Sequence, residues 1–333
     1  MKQIYLVLTL LSCLGLGAQS GNSLNLDGTN DVVSINNVTT PTFTLEATIK
    51  VLRASATGTM AYNGTGILDS DIGGNANDFI FSVLNNKLSF WDGGSGRNLN
   101  GNINVVDGGW HHVAIVREAN VGIRLYVDGV LDTQTTGVGA IVLNQNPKIY
   151  IGAAYVDSRF LNADMDEVRI WNYARTLTEL DTNKSCELLG NESGLVSYYK
   201  FNQGVANADN TAITSLTDSS SNGNNGTLMN FTLNNSASNW RDTSLVTTGD
   251  TCATLSLNNF ADNNYVLFPN PSTDFIEILG SSKVEKYALY NMLGQELHLG
   301  LAMKDEKIDI RHLTNGLYFL KFTNGNAIKF VKD

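Results

Sequence analysis

Six residues between Trp91 and Arg159 carry side chains of the kind that bind sugars. Sugar rings pack on aromatic side chains and offer their hydroxyls to amides and carboxylates. The candidates stand in loops or at strand ends and are Trp91, Asp92, Asn98, Tyr155, Asp157 and Arg159. Trp91 has two open interpretations, a packed side chain or an exposed platform. Trp110 and Trp171 are predicted to lie in the core.

Two aspartates, Asp69 and Asp71, stand two positions apart in the polar loop 68–75. They are further candidate ligand-binding residues, and the alternative is that they are ordinary turn residues. Glu46 shares the polar face of its strand with Lys50 and is expected to form a solvated pair with it. The sequence contains no Ser/His/Asp arrangement and no phosphate-binding loop.

A second kind of chemistry is calcium binding. Hard cations bind several oxygens from carboxylates and from backbone carbonyls in turns. The segments 27–31 and 162–166 supply such oxygens, which predicts a structural Ca²⁺ with the ligands Asp27, Asp31, Asp164 and Asp166. The alternative is that these aspartates cap turns without a metal.

The charge balance limits the partners. The formal net charge is −10, and residues 265–333 hold eight basic and eight acidic residues. The other 264 residues therefore carry 14 basic and 24 acidic side chains, the whole of the excess. An acidic surface without a Lys/Arg stripe excludes nucleic acid and anionic lipid as expected partners.

The first 18 residues have the pattern of a signal peptide. Lys2 is followed by the apolar stretch 4–16 and by a small-residue cleavage site after Ala18. Cys13 also faintly resembles a lipoprotein site, although Leu11 is bulky for that motif. No later stretch has the ~20 apolar residues of a membrane helix. The chain is expected to be exported.

Removal of the leader takes Cys13 with it and leaves Cys186 and Cys252. An even pair in an oxidising compartment predicts one disulfide, and two free thiols are the alternative.

The positioning elements are short strands. Residues 43–51 and 122–127 alternate apolar and polar side chains, which predicts strands with one face in a core. The dipeptides Asn85-Asn86 and Asp128-Gly129 predict tight hairpin turns. The stretch 177–184 is the one plausible helical turn. The pattern is typical of an all-β antiparallel sandwich.

Several of these segments together resemble a known family. Trp110–Val113, Leu125–Gly129, Asp166–Trp171 and the opening segment Ser23–Val33 stand in the order of the LamG-like jelly-roll family, within the concanavalin A-like lectins and glucanases. The resemblance implies a jelly-roll domain over about 19–183 and makes Trp110, His111 and His112 framework residues. It also implies that the first and last strands lie side by side, with Asp166 near a structural Ca²⁺.

The family includes glucanases whose catalytic carboxylates form an E-x-D-x-E triplet, and this chain has no such triplet. A glycosidase needs two carboxylates about 5–9 Å apart across the sugar. An enzyme is therefore the less favoured interpretation.

Residues 184–264 are harder to assign. Strand patterns at 194–204 and 218–233 resemble the hairpin that often precedes the first strand of a LamG-like domain. Two hypotheses stay open: this segment docks on the jelly roll, or it forms a separate unit or the stub of a second repeat.

The tail 265–333 has a third pattern. Phe268–Ser272, Asn291–Gln295, Leu313–Tyr318 and Lys329–Lys332 resemble the type A C-terminal sorting domain of the type IX secretion system of Bacteroidota. The resemblance implies a small seven-stranded Ig-like sandwich that directs export through the periplasm to the outer cell surface or the medium. It also implies the secretion machinery and a sortase-like peptidase as partners. An ordinary Ig-like spacer is the alternative.

These patterns lead to three functional hypotheses. The first is a secreted or surface-displayed LamG-like module that binds carbohydrate or another extracellular ligand. The others are a concanavalin A-like glycoside hydrolase with an unusual carboxylate pair and an adhesion or spacer protein without a small-molecule site.

Overall fold

A computed structural model of the chain describes residues 21–53, 56–74, 76–252, 266–279, 285–292, 295–302, 307–322 and 327–333. The chain divides into two compact units after Cys252. The predicted signal peptide and the predicted boundary at 264–265 lie outside the described residues.

The first unit is built almost wholly from short strands. In chain order they are β1 (Ser23–Asp27), β2 (Val32–Asn36), β3 (Phe43–Val51), β4 (Thr65–Asp69), β5 (Phe79–Leu84), β6 (Lys87–Asp92), β7 (Arg97–Asn104), β8 (His111–Glu118), β9 (Gly122–Val127), β10 (Val130–Thr136), β11 (Lys148–Ile151), β12 (Ala153–Ala154), β13 (Arg159–Phe160), β14 (Asn162–Trp171), β15 (Leu195–Tyr199), β16 (Ser215–Leu216), β17 (Gly226–Met229) and β18 (Trp240–Arg241). A 3-10 turn spans Ala61–Asn63, and the helix α1 spans Leu177–Asn183.

Sixteen of these strands form two antiparallel sheets that face each other across one core, and β12 and β13 pair with each other in a small separate hairpin. Sheet A has the order β10-β9-β8-β3-β14-β1-β18, with β15 also paired to β14, and sheet B has the order β16-β17-β2-β11-β4-β5-β6-β7. The core between them contains Phe43, Phe79, Phe81 and Phe90. The predicted all-β jelly-roll sandwich is confirmed.

The alternation of side chains along a strand explains which residues face the core. Phe43, Leu45, Ala47, Ile49 and Val51 of β3 all lie in the core, as the period-two pattern predicts. The hairpin turns also form where predicted, because their residues adopt positive φ, for example 52° at Asp128 and 79° at Gly129.

The polar face of sheet A differs from the prediction. Glu46 is fully buried, and its carboxylate accepts hydrogen bonds from Arg175 at 2.7 Å and His112 at 2.9 Å. The expected solvated Glu46–Lys50 pair is wrong, because Arg175 and the helix α1 cover this face. The helix begins at a capping box between Thr176 and Glu179.

The segment after α1 adds strands to both sheets of the first unit. β15 pairs with β14 and β18 pairs with β1 in sheet A, while β17 pairs with β2 in sheet B. Trp240 of β18 is fully buried in the main core. The predicted disulfide joins Cys186 to Cys252 beside Trp171 and Tyr198. Residues 187–252 therefore lie within the jelly roll and do not form a separate unit.

The second unit is a small seven-stranded β-domain. Its strands are β19 (Val266–Phe268), β20 (Phe275–Leu279), β21 (Glu285–Asn291), β22 (Glu296–Ala302), β23 (Lys307–Asp309), β24 (Gly316–Phe322) and β25 (Ala327–Lys332). They form the sheets β19-β20-β23 and β22-β21-β24-β25 around a core that includes Leu289, Leu320 and Phe330. Within the described parts of both units, none of the helices has the length and apolarity needed to cross a membrane.

Candidate functional site

One row of paired residues crosses the outer face of sheet B. Tyr150 of β11 stands beside Asp69 of β4, and the row continues through Ile80 and Trp91 to Asn98 of β7. Because side chains of a strand alternate, these paired residues point away from the core, where the apolar partners of the same strands lie. The row brings three predicted ligand-binding residues, Asp69, Trp91 and Asn98, onto one surface.

The most prominent feature of this surface is a pair of stacked tyrosines. The rings of Tyr150 and Tyr155 are nearly parallel, with 4.1 Å between centroids and 17° between planes. Both side chains are half-buried. Tyr155 follows β12, and its backbone N–H donates to the Asp69 carboxylate at 2.9 Å. The sheet therefore fixes both rings, one through β11 and the other through Asp69.

The two rings line an open pocket of about 560 Å³. Its lining consists of apolar, hydroxyl and amide side chains, namely Ile72, Asn146, Tyr150, Tyr155, Val156, Ser158, Phe160 and Asn230. Two of them have a positive backbone φ, 54° at Ser158 and 67° at Asn230, as do several turn residues elsewhere in the described chain.

Two aspartates with raised pKa values, Asp69 and Asp78, lie behind the pocket. Burial raises the pKa of Asp69 to about 7, against the lowering effect of the N–H donors of Tyr155 and Asp71. Burial also raises the pKa of Asp78 to about 6, and the neighbouring Asp71 carboxylate adds to the rise. Asp78 Oδ1 is buried and accepts no hydrogen bond from the described residues. This side of the pocket is acidic.

The loop 153–160 is fastened by Arg159. Its guanidinium donates to Asp157 at 2.7 Å, to the carbonyl of Gly64 at 2.8 Å and to the carbonyl of Tyr62. Asp157 lies between two pocket-lining residues, Val156 and Ser158. Of the candidate residues, Tyr155 lines the pocket, while Asp69, Asp71, Asp157 and Arg159 lie next to it in the chain or in the sheet. Their role in binding a ligand stays a prediction.

The other candidates lie apart from the pocket. Trp91 is three strands from Tyr150, about 14 Å at the usual strand spacing, and its half-buried ring contacts Tyr62 edge to face. Asn98 uses its amide to hold the loop before β4, through Ala61 N at 2.7 Å and Thr59 O at 3.3 Å. Both side chains are therefore already bound within the protein.

Asp92 requires a correction. It is fully buried on the core side of sheet B, where its carboxylate accepts a hydrogen bond from Arg117 at 2.8 Å. Alternation points Asp92 inward because its neighbour Trp91 points outward. It forms an internal ion pair and cannot reach a ligand.

Of the eight residues that line the pocket, sequence reasoning named only Tyr155, and three of the seven that it missed show why. Tyr150 had a local signal, because it alternates with the core residues Ile149 and Ile151 and so must face outward. Asn146 sits in a loop with no pattern of its own. Asn230 enters from the segment 187–252, and only the pairing of β17 with β2 brings it to the pocket.

His111 and His112 of β8 lie in different environments on sheet A. His112 is buried against Glu46, whereas His111 bridges Asp128 at 2.8 Å and Asp107 at 3.0 Å. The hydrogen bond with Asp128 makes the largest contribution to the pKa of His111, which is raised to about 9. Burial alone would raise the pKa of Glu46, but Arg175, His112 and Arg169 hold it well below its usual range. These groups support the framework, as the resemblance implies.

Family models match a part of each unit. Residues 27–181 match the family model of the concanavalin A-like lectin/glucanases superfamily. The first unit is a concanavalin A-like domain. Residues 266–333 match the model of the secretion system C-terminal sorting domain. This sorting domain, of the type IX secretion system, directs the protein to the cell surface or into the medium.

Solved structures share partial likeness with the chain. A putative carbohydrate-binding protein from Bacteroides ovatus is 22% identical, with a TM-score of 0.47 over 63% of this chain and 58% of the other. A heptameric SAP-like pentraxin from Limulus polyphemus is 15% identical, with a TM-score of 0.37 over 51% and 84%. The CBM40 of a Ruminococcus gnavus IT-sialidase is 10% identical, with a TM-score of 0.39 over 49% and 98%. A search among curated proteins finds no match to this chain.

The concanavalin A-like domain also allows a test of the calcium prediction. β1 and β14 do lie side by side, but the four aspartates already accept hydrogen bonds from the protein. Asp27 accepts the backbone N–H of Thr29, Asp31 binds Ser238, Asp164 binds Asn25 and Arg241, and Asp166 binds Ser244. Burial raises the pKa of Asp31 to about 6 and that of Asp166 well above its usual value.

Across the described residues, no three His, Cys, Asp or Glu side chains come together in a way that could hold a metal ion. The donor set Asp27, Asp31, Asp164 and Asp166 therefore does not fit a single Ca²⁺. The calcium prediction stays a prediction from the sequence.

Proposed function

We propose that the concanavalin A-like domain, with the segment 187–252, is a carbohydrate-binding module that acts at the cell surface or in the medium. The observation that carries the proposal is the stacked pair Tyr150–Tyr155 beside the amides of Asn146 and Asn230 around one open pocket. Aromatic rings supply a platform for the apolar face of a sugar, and amides bind its hydroxyls.

The preorganisation of this pocket supports the proposal. Tyr150 is placed by β11, Tyr155 by the Asp69 carboxylate, and the turn that follows Tyr155 by Arg159. The tyrosine hydroxyls make no hydrogen bond to any residue in the described ranges, which leaves them for a ligand. A site whose side chains are already held in place loses less entropy on binding.

The pocket does not favour hydrolysis. Asp69 has a raised pKa, as a general acid requires, but it is only 1% exposed and both of its oxygens accept backbone N–H groups. Asp78 is fully buried. None of the described residues that line the pocket carries a carboxylate, so its wall offers no acid and base for glycosidase chemistry.

A glycan array with the full purified chain tests the proposal, with Tyr150→Ala and Tyr155→Ala as variants. Each substitution removes an aromatic platform and is expected to weaken binding roughly ten-fold or more. Tyr290→Ala, a half-buried tyrosine of the second unit, is the matched control and should bind like the wild type. Absence of binding to every glycan, or binding that both pocket variants retain, would favour the spacer hypothesis.

For the sorting domain we propose that secretion machinery and a sortase-like peptidase act on residues 266–333. The family match supports recognition by the machinery. Expression in a host with the type IX system should give an exported protein whose mass lacks the sorting domain. Deletion of residues 266–333 should leave the protein inside the cell envelope, and unchanged export of the deleted form would refute this role.

A further inference from the structure

The two edges of the larger sheet in the second unit differ. On one edge, the Asn270 side chain accepts the N–H of Val331 at 2.9 Å and donates to the carbonyl of Lys329 at 3.3 Å. The N–H of Ser272 donates to the carbonyl of Val331 at 3.0 Å, so the backbone of β25 is covered. On the other edge, β22 pairs with β21 alone among the described residues. The edge of β22 is therefore open within the described part of this unit.

Two other long edge strands of the chain protect each other. β7 and β10 are edge strands of the two large sheets in the first unit. The Asp132 carboxylate of β10 accepts the N–H groups of Asn102 at 2.8 Å and Ile103 at 3.1 Å, both on β7. A long edge without such protection is a template for pairing with another chain. This comparison directs attention to β22.

The side chains of β22 also resemble those of a strand with a partner. Leu299 is 66% exposed and Leu301 is 49% exposed, and both lie on the outer face of the sheet. Residues 297–302 include no acidic residue, lysine, arginine or proline, which are the residues that commonly protect an edge. A bulge at Leu297 ends the regular register, so residues 298–302 form the stretch that can pair.

We propose that β22 pairs antiparallel with β22 of a second copy, which joins two sorting domains through one continuous sheet. The stretch 298–302 is self-complementary in this arrangement. With the two-fold axis at Gly300, Leu299 of each copy lies opposite Leu301 of the other. Backbone hydrogen bonds then fill the open edge, and the leucines of both copies form one apolar patch across the joint.

The charges of this sheet favour contact at the edge over contact between two outer faces. Lys286, Lys321 and Lys329 all lie on the outer face, so two stacked faces would bring the lysines together. In the edge pairing, Lys286 stands on β21 beside Leu301, one strand inside the joint. The Lys286 residues of the two copies are then at least three strand spacings apart, about 14 Å. This distance exceeds the Debye length of about 8 Å at physiological salt, so their repulsion is weak.

Sedimentation velocity of the full purified chain over a series of concentrations measures the pairing. The contact is smaller than a standard protein interface, so we expect a reversible dimer with a Kd on the order of 10–100 µM. Leu299→Lys/Leu301→Lys should raise the Kd at least about ten-fold, and Leu299→Glu/Leu301→Glu should do the same, because like charges then meet across the joint. Val205→Lys changes an equally exposed apolar residue of the first unit and is the matched control, which should dimerise like the wild type.

A mixture of the two charged variants tests the register. Each lysine then lies opposite a glutamate of the other copy, so the mixture should form a heterodimer although neither variant dimerises alone. Thermal melts check that both variants fold. A wild-type chain that stays monomeric throughout the series would overturn the proposal. A dimer that persists in both charged variants, or a mixture that does not pair, would also contradict it, because the contact would then lie elsewhere.

Discussion

The carboxylate of Asp69 accepts the backbone N–H of Tyr155 at 2.9 Å and thereby joins β4 to the loop that carries the aromatic pair. Its other oxygen accepts the N–H of Asp71, also at 2.9 Å. Asp69 is almost completely buried, and burial raises its pKa to about 7. A single acid thus supports both the geometry of the pocket and the electrostatics behind it.

The raised pKa of Asp69 predicts that the first unit loses stability as the pH rises. Below about pH 4 the carboxyl is protonated in the folded and unfolded chains alike. As the pH rises, the unfolded chain releases the proton first and the folded chain keeps it up to about pH 7, so the free energy of unfolding falls. From pH 5 to pH 8 this single group accounts for a fall of about 3 kcal/mol.

Denaturant unfolding followed by tryptophan fluorescence measures this effect, because all four tryptophans lie in the first unit. Asp69→Asn should flatten the pH dependence, whereas the exposed Asp157→Asn should leave its slope unchanged. Asp31 and Asp78, whose pKa values are also raised, still contribute in the variant. An identical slope in Asp69→Asn and the wild type would contradict the assignment.

Substitution of the buried Glu46 should be strongly destabilising. Glu46→Gln removes the negative charge that faces the buried guanidinium groups of Arg175 and Arg169 and leaves Arg175 without a counter-charge. We expect a loss of about 3–5 kcal/mol in the free energy of unfolding. Glu118→Gln, which breaks the surface pair with Arg124, should cost less than about 1 kcal/mol. Equal losses in the two variants would show that the buried network adds no stability.

Truncation of Trp240 tests whether the segment 187–252 folds with the jelly roll. Trp240→Ala empties a fully buried position in the main core and should cost about 3–5 kcal/mol. The half-buried Trp110 provides the control, and Trp110→Ala should cost clearly less. Circular dichroism during denaturation is the measurement. A separate early transition, with the rest of the first unit as stable as before, would show that the segment folds independently.

Loss of the disulfide should lower stability because the unfolded chain gains conformational entropy when the cross-link is removed. The bridge links residues 66 positions apart, and the chain-entropy model assigns about 4 kcal/mol to a loop of that length. The double variant Cys186→Ala/Cys252→Ala should therefore melt roughly 10 °C lower and show no response to a reductant. Reductant should bring the wild type to the same lower value. A variant that melts with the wild type would mean that the segment is held by its strand pairing alone.

Calcium removal should leave the melting temperature unchanged. The aspartates predicted as ligands accept hydrogen bonds from Ser238, Asn25, Arg241 and Ser244, so no set of free oxygens converges on one ion. Thermal melts with excess calcium and with EDTA provide the comparison. A drop of several degrees in EDTA would restore the calcium prediction and overturn this interpretation of the hydrogen bonds.

The strands could be predicted from the sequence because their information is local. Alternation along β3 and the positive-φ pair Asp128-Gly129 depend on neighbouring residues only. The burial of Glu46 could not be predicted, because the same alternation describes a polar face in water and a polar face covered by α1. What covers a sheet is decided by residues far away in the chain.

The candidate site also has residues whose position the sequence indicated and residues whose position it did not. Tyr155, Asp157 and Arg159 follow one another within a single loop, so their proximity was evident from the chain. Asp92 was misplaced because it adjoins Trp91 in sequence while alternation sends the two to opposite faces of sheet B. Asn230 reaches the pocket through a pairing with β2 that spans almost 200 residues, and no local pattern contains that information.

The sequence by itself therefore determined the fold class, the two recognisable domains and the destination of the chain. Strand periodicity, turn residues and ordered motifs each depend on short segments of sequence. Only the tertiary structure decided where a ligand could bind. It stacked Tyr150 on Tyr155, brought Asn230 to them, buried Asp69 behind them and bound the charge of Arg159 within the protein. The physical reason is that the pocket is formed by residues far apart in the sequence. The long-range pairing of their strands determines its geometry.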